Sequence, residues 1–185
     1  MGLPSIDITF KTAAQVTIAM GDKGYVGLIV RDTKQAGAHY LTRASKIPAE
    51  LTADNKAYIE RAFAGYVNPP KGVYVYVTDE EDVNLAEALA YFATQEVDYL
   101  CGPPDIEEAE AQAVESWLKE RREAHSHIKA VLPKLVADYD PVIDFDADGM
   151  TDGTKTYTAA QYCSRMAGIF AGTPWTMSAD RKSVV

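Results

Sequence analysis

Apolar residues recur along this chain in two patterns, one typical of strands and the other of helices. Residues 5–10 alternate apolar and polar side chains, as a half-buried strand does. Compact apolar runs, many of them rich in β-branched or aromatic residues, predict buried strands over residues 25–30, 73–77, 97–101, 128–132 and 142–145, and a shorter strand over 40–42.

Between these runs, apolar residues return every three or four positions, as they do on one face of a helix. This spacing predicts helices over about 53–64, from Asp79 or Asp82, from a cap at Asp105, and after Thr158. Asp105 with Glu108, and Thr158 with Gln161, have the spacing of a capping box.

The last helix is the most apolar and is expected to be the packing centre of the domain. Cys163, Met166, Ala167, Phe170 and Ala171 form its apolar face, which other elements must cover. Gly172 is predicted to adopt a left-handed C-cap, and Pro174 prevents the helix from continuing.

Strands and helices alternate from about residue 52 onward, which predicts a three-layer α/β domain with a mostly parallel sheet flanked by helices. A chain of 185 residues fits one such domain, or one with a small appendage. We assign residues 21–176 to it, residues 1–20 to a preceding segment, and 177–185 to a polar tail that is expected to be disordered or weakly held.

The net charge and the cysteine content limit the binding partners and the cellular compartment that the chain can have. The net charge of -9 argues against a surface for nucleic acid or anionic membranes, which would need an excess of Lys and Arg. Two cysteines provide no disulfide framework, so a cytosolic compartment is the simpler interpretation. The sequence shows neither a signal peptide nor an apolar run of roughly 20 residues that could span a membrane.

The most specific local motif is an Asp-rich stretch that begins like an EF-hand calcium loop. Asp144, Asp146, Asp148 and Asp152 are its candidate metal ligands, with Gly149 at the sixth position. The twelfth position, where a bidentate Glu is needed, is Lys155, and the preceding residues predict a strand rather than a helix. We therefore favour an Asp/Gly turn between strand and helix, with calcium binding as the alternative.

Two other candidate motifs, a histidine pair and a group of glycines, have simpler structural interpretations. His125 and His127 would face one side of a strand as a metal pair, but no third ligand is near, so an exposed junction is favoured. Gly21, Gly24 and Gly27 do not open a helix, so turn and strand-packing roles are favoured over a phosphate loop.

Cys101 ends a predicted strand, where α/β enzymes place their chemistry, but the acidic helix start that follows would raise its pKa. A buried structural cysteine is the preferred interpretation. The alternative is an α/β enzyme or small-ligand binder with its site near Asp79, Cys101 and Asp138–Asp140. No Ser/His/Asp triad can be assembled, and we expect no catalytic residues and no cofactor.

Several segments resemble the tail sheath subunit of contractile phage tails and of related defective-prophage or bacteriocin particles. The longest is Tyr-Thr-Ala-Ala-Gln-Tyr-Cys-Ser-Arg-Met-Ala-Gly-Ile-Phe-Ala-Gly-Thr-Pro, over residues 157–174. Gly-Leu-Pro-Ser-Ile-Asp-Ile-Thr-Phe-Lys-Thr-Ala-Ala (2–14), Tyr-Ile-Glu-Arg-Ala-Phe-Ala-Gly-Tyr-Val-Asn-Pro-Pro (58–70) and Val-Asp-Tyr-Leu (97–100) also match. The resemblance covers about residues 2–176.

This resemblance implies the N-terminal portion of a non-enzymatic structural subunit with a subtilisin-like fold. Such subunits form homo-oligomeric rings around a tail tube protein and contract to drive the tube through a cell envelope. Extended terminal arms join neighbouring subunits by adding strands to their sheets, and residues 1–20 would be the N-terminal arm. The implied location is the phage tail, with assembly in the host cytoplasm, and the implied partners include neither nucleic acid nor membrane.

Overall fold

The computed structural model describes residues 23–66, 68–79, 85–151 and 153–174. The predicted strand at 5–10, the proposed arm at 1–20 and the tail at 177–185 lie outside these ranges. Eight strands are described: β1 (Tyr25–Arg31), β2 (Gly37–Leu41), β3 (Gly72–Thr78), β4 (Tyr99–Cys101), β5 (Lys129–Pro133), β6 (Val142–Phe145), β7 (Met150–Thr151) and β8 (Thr156–Tyr157). The α-helices are α1 (Ala53–Ala64), α2 (Ala86–Phe92), α3 (Glu108–Glu123) and α4 (Ala159–Gly172), and a 3-10 helix spans Ala44–Lys46.

Six strands form one mostly parallel sheet in the order β2-β3-β1-β4-β5-β6. β1 pairs with β3 from Tyr25 opposite Gly72 to Arg31 opposite Thr78, and only β2 runs antiparallel to its neighbour. The carboxyl ends of β1, β3, β4, β5 and β6 therefore share one edge, which we call the carboxyl edge. The predicted mostly parallel sheet is confirmed.

Each face of the sheet carries its own core, because successive side chains of a strand point to opposite faces. On one face, α1 and α4 cover Val26, Leu28 and Val30 of β1, together with the valines of β3. On the other face, α2 and α3 cover Ile29, Leu100 and Leu132. These two cores confirm the three-layer α/β architecture.

Helix α4 packs closely on α1 through a glycine contact. A Cβ atom on Gly168 would lie 2.0 Å from the carbonyl oxygen of Ala62, so only glycine allows this approach of the two backbones. Thr158 caps α4, and its hydroxyl accepts from the Gln161 N–H at 3.3 Å, as its spacing predicts.

The predicted left-handed conformation of Gly172 is wrong. Gly172 is the last residue of α4, and the C-cap Thr173 has a φ of -84°. A Cβ on Gly172 would lie 2.1 Å from the carbonyl oxygen of Asn68, so the glycine is needed for close packing and not for a turn. Its sequence position alone does not distinguish these two roles.

Two further predictions differ from the structure, and two features of the fold were not predicted. Helix α3 is capped by Glu107 rather than Asp105, with Glu110 in the third helical position. The strand over 40–42 begins earlier, at Gly37. The β7–β8 hairpin was not predicted, because its two-residue strands are too short to show a period. β5 and β6 are also joined through 134–141 without a helix, unlike the other crossovers of the sheet.

Candidate functional sites at the carboxyl edge

The carboxyl edge is where parallel α/β sheets usually bind ligands, and here it holds a network of buried polar groups. Arg31 ends β1 and forms an ion pair with Glu110 of α3 and another, at 3.0 Å, with Asp105. Glu110 also accepts from the Glu107 N–H at 3.0 Å, so one carboxylate both caps α3 and neutralises Arg31. This network joins β1 to α3 and was not predicted from the sequence.

Asp32 follows Arg31 and is almost completely buried. Its carboxylate accepts from the Thr52 N–H at 2.8 Å, from Asn55 Nδ2 at 3.0 Å and from the Lys34 N–H at 3.2 Å. Burial alone would raise the pKa of Asp32, but these hydrogen bonds outweigh it and lower the pKa below the usual 3.8. The side chain thereby fixes the start of α1 to the end of β1. An Arg-Asp pair directly after a buried strand is the sequence signal that could have indicated this network.

Cys101 is fully buried and faces α4, so the predicted burial of this residue is confirmed. Its thiol donates to the Cys163 carbonyl at 3.5 Å. Burial raises the pKa of Cys101 well above its usual value and the pKa of Cys163 to about 12. A nucleophilic thiolate needs the opposite shift, so the geometry gives no support to an enzyme that uses Cys101.

The residues of the Asp-rich stretch lie partly on β6 and partly in the loop before the β7–β8 hairpin. Asp144 lies on β6, Asp146 follows it, and both are exposed; Asp152 is outside the described residues. Asp148 pairs with Lys134, and its Oδ1 accepts from the Ala159 N–H at 2.9 Å, at the start of α4. The hydrogen bonds from Lys134 and the Ala159 N–H lower the pKa of Asp148. Asp148 thus acts as a second cap of α4.

The other candidates take the structural roles favoured from the sequence. His125 and His127 are exposed at the junction of α3 and β5, and His127 Nδ1 lies 3.3 Å from an Arg122 nitrogen. A Cβ on Gly27 would lie 2.9 Å from the ring of Phe92, so Gly27 permits strand packing, while Gly21 lies outside the described ranges. Within the described residues, no three His, Cys, Asp or Glu side chains gather as a metal site, and no helix is long and apolar enough to cross a membrane.

The fold and the carboxyl edge together define a three-layer α/β domain in which the charged residues at the end of β1 bond groups of α1, of α3 and of the loop before α3. No model of a protein family matches the chain. The tail sheath protein of Clostridium phage phiCD119 is 36% identical over 182 residues, which are 96% of this chain and 50% of that protein. The chain therefore spans about half the length of the curated relative it matches.

A solved structure, the sheath tail protein of Desulfitobacterium hafniense, superposes with a TM-score of 0.63 over 91% of this chain and 62% of the other. Its identity of 13% makes this a likeness of fold alone. The resemblance noted in the sequence is confirmed by the phage relative: this chain is similar to a tail sheath protein over 96% of its own length. A subtilisin-like fold stays a prediction.

Proposed function

We propose that this chain is the N-terminal portion of a contractile phage tail sheath subunit. The observation that carries the proposal is the 36% identity to a tail sheath protein, which extends over 96% of the chain. In this role copies of the chain form rings around a tail tube protein, and contraction of the sheath drives the tube through a cell envelope. The subunit acts in the virion tail, after assembly in the host cytoplasm.

The proposal includes contacts between copies through backbone edges. Within the described residues the six-stranded sheet has two edge strands, β2 and β6, and each presents unpaired backbone groups on its outer side. Residues 5–10 carry the alternation of a strand and are proposed as the arm that pairs with a neighbouring subunit. Backbone pairing of this kind links subunits without requiring a conserved pocket.

The experiment that tests the proposal asks whether the protein incorporates into phage tails. The chain is produced with an affinity tag in bacteria that assemble a phage tail containing its full-length relative, and intact tails are then purified by density gradient. We expect the tagged chain to co-purify with the tails and electron microscopy to place it on their outer layer. Its absence from tails, at expression levels matched to a tagged tail protein, would contradict the proposal.

A further inference from the structure

A polar cavity of about 450 Å³ opens at the carboxyl edge, between α1, α4 and the β7–β8 hairpin. Its lining includes Asp54 and Arg61 of α1, Gln161 of α4, and Lys155 and Tyr157 of the hairpin, together with Asp105 from the loop before α3. Apart from Asp105, which pairs with Arg31, neither the network around Arg31 nor the packing of the two cores explains this group of residues.

Arg61 is held in this cavity in a fixed orientation. Its guanidinium lies 4.4 Å from the centre of the Tyr157 ring and 5.7 Å from that of Tyr58, and its Nε donates to the Gln161 carbonyl at 3.1 Å. Neither Nη atom has a hydrogen-bond partner within residues 23–66, 68–79, 85–151 and 153–174. A planar guanidinium with two such donors suits a carboxylate or phosphate.

The other charges of the cavity favour a singly charged ligand. The Lys155 ammonium adds a second positive charge and lies 3.8 Å from Asp54, which is itself largely exposed. Asp105 contributes a second negative charge and is paired with Arg31. Two acids beside two bases would repel a phosphate dianion more strongly than a single carboxylate. A carboxylate is therefore the better match.

The same molecule carries a strongly acidic surface, which we call the acidic edge: residues Asp138–Asp148. It contains five aspartates and no Lys or Arg. Asp138, Asp140, Asp144 and Asp146 are all exposed, and β6 within it is an edge strand of the sheet. In a chain of net charge -9, an acidic surface of one copy favours contact with cationic side chains of another, such as Arg61 and Lys155.

We propose that the Arg61 cavity of one copy binds a carboxylate from the acidic edge of a second copy. The inference rests on the proposed self-assembly and names the contact through which two copies meet. The cavity and the acidic edge share no residue, so the contact is heterologous and can repeat from copy to copy.

Charge reversal on either side tests this contact. Sedimentation velocity at increasing concentration, with EDTA to exclude cation bridging, compares the wild type with Arg61→Glu, Lys155→Glu and the double variant Asp144→Lys/Asp146→Lys. We expect each to self-associate about tenfold more weakly than the wild type. The exposed Lys46→Glu and Glu123→Lys variants are the matched controls and should associate as the wild type does. Lys155→Glu and the Asp variant alter exposed side chains, so they keep the test valid if Arg61→Glu fails to fold.

Mixing two defective variants gives the decisive result. Lys155→Glu copies keep the acidic edge, and Asp144→Lys/Asp146→Lys copies keep the cavity, so a 1:1 mixture should form a dimer that cannot grow further. If the wild type self-associates and the charge-reversal variants associate as strongly, the proposed contact is wrong. That outcome would not bear on whether the chain incorporates into tails. A wild type that stays monomeric at every concentration would also overturn the contact, whereas absence from tails is the result that contradicts the sheath role.

Discussion

The carboxylate of Asp32 shows how one buried charge connects sequence-distant elements. It lies at the end of β1 and accepts hydrogen bonds from three donors, two of which belong to the start of α1. A buried charge is tolerated only when such donors surround it. Its lowered pKa means that folding favours the ionised form.

We expect Asp32→Asn to lower the free energy of unfolding at pH 7 by about 1–3 kcal/mol, because an amide presents N–H groups where donors already lie. A group with a lowered folded-state pKa stabilises the protein fully above its unfolded value, near 3.8, and loses that contribution as pH falls through the folded value. The deficit of the variant should therefore be largest at pH 7 and shrink below about pH 4.

Urea unfolding at pH 7 and pH 3 measures this difference. The exposed Asp138→Asn variant, which alters a carboxyl outside the network, is the control and should match the wild type. An equal deficit of Asp32→Asn at both pH values would contradict the assigned ionisation.

The contacts of Asp148 allow a prediction of how calcium affects the stability of the protein. Both of its oxygens already bond protein groups, Lys134 and the Ala159 N–H. We expect millimolar calcium to leave the thermal midpoint of unfolding unchanged relative to EDTA, with magnesium as the control for ionic strength. A calcium-specific rise of about 3 °C, equivalent to roughly 1 kcal/mol, would establish the calcium alternative for Asp144–Asp152.

At the scale of elements, the contact between α1 and α4 depends on backbones that approach unusually closely. Gly168 of α4 lies against the Ala62 carbonyl, and Ser164 donates to the Tyr58 carbonyl at 2.8 Å. Both contacts join α4 to the backbone of α1. The apolar face of α4 was predictable, but the identity of its partner helix was not.

The Gly168→Ala variant distinguishes the effect of helix propensity on stability from the effect of packing. Propensity alone predicts that alanine stabilises a helix by about 0.5–1 kcal/mol over glycine. The new methyl would meet the Ala62 carbonyl, so we expect a net loss of about 1–3 kcal/mol instead. Ala160→Gly near the start of the same helix is the control for propensity. Denaturant unfolding measures both, and a stabilised Gly168→Ala would show that the helices are not in close contact.

At the scale of the molecule, one sheet separates two cores. β1, β4 and β5 contribute side chains to both, because their alternate residues face opposite helical layers. Loss of either helical layer would expose the apolar face of the sheet that it covers, on strands that also carry the other core. The two cores are therefore expected to unfold together.

Cooperative unfolding can be measured from Trp117, which packs on the core covered by α2 and α3. In a Trp175→Phe background, Trp117 fluorescence follows that side, while far-ultraviolet circular dichroism follows all helices. We expect both signals to change at the same urea concentration with a single transition. The Trp175→Phe substitution is checked by comparing its dichroism curve with that of the wild type. Separate midpoints would mean that the two layers unfold independently.

The sequence by itself determined the positions of β1, β3, β6, α1 and α4, the three-layer class and the resemblance to sheath subunits. The positions of these elements depend on periodicity and caps within about ten residues, so local side-chain pattern is enough to predict them, whereas the resemblance rests on matching sequence segments. Only the tertiary structure decided that Arg31 pairs with Glu110, 79 positions away, that Gly172 packs on Asn68, and that Arg61 stacks on Tyr157. Such pairs form between elements that the order of strands and the crossing of helices bring together, and no local pattern specifies either.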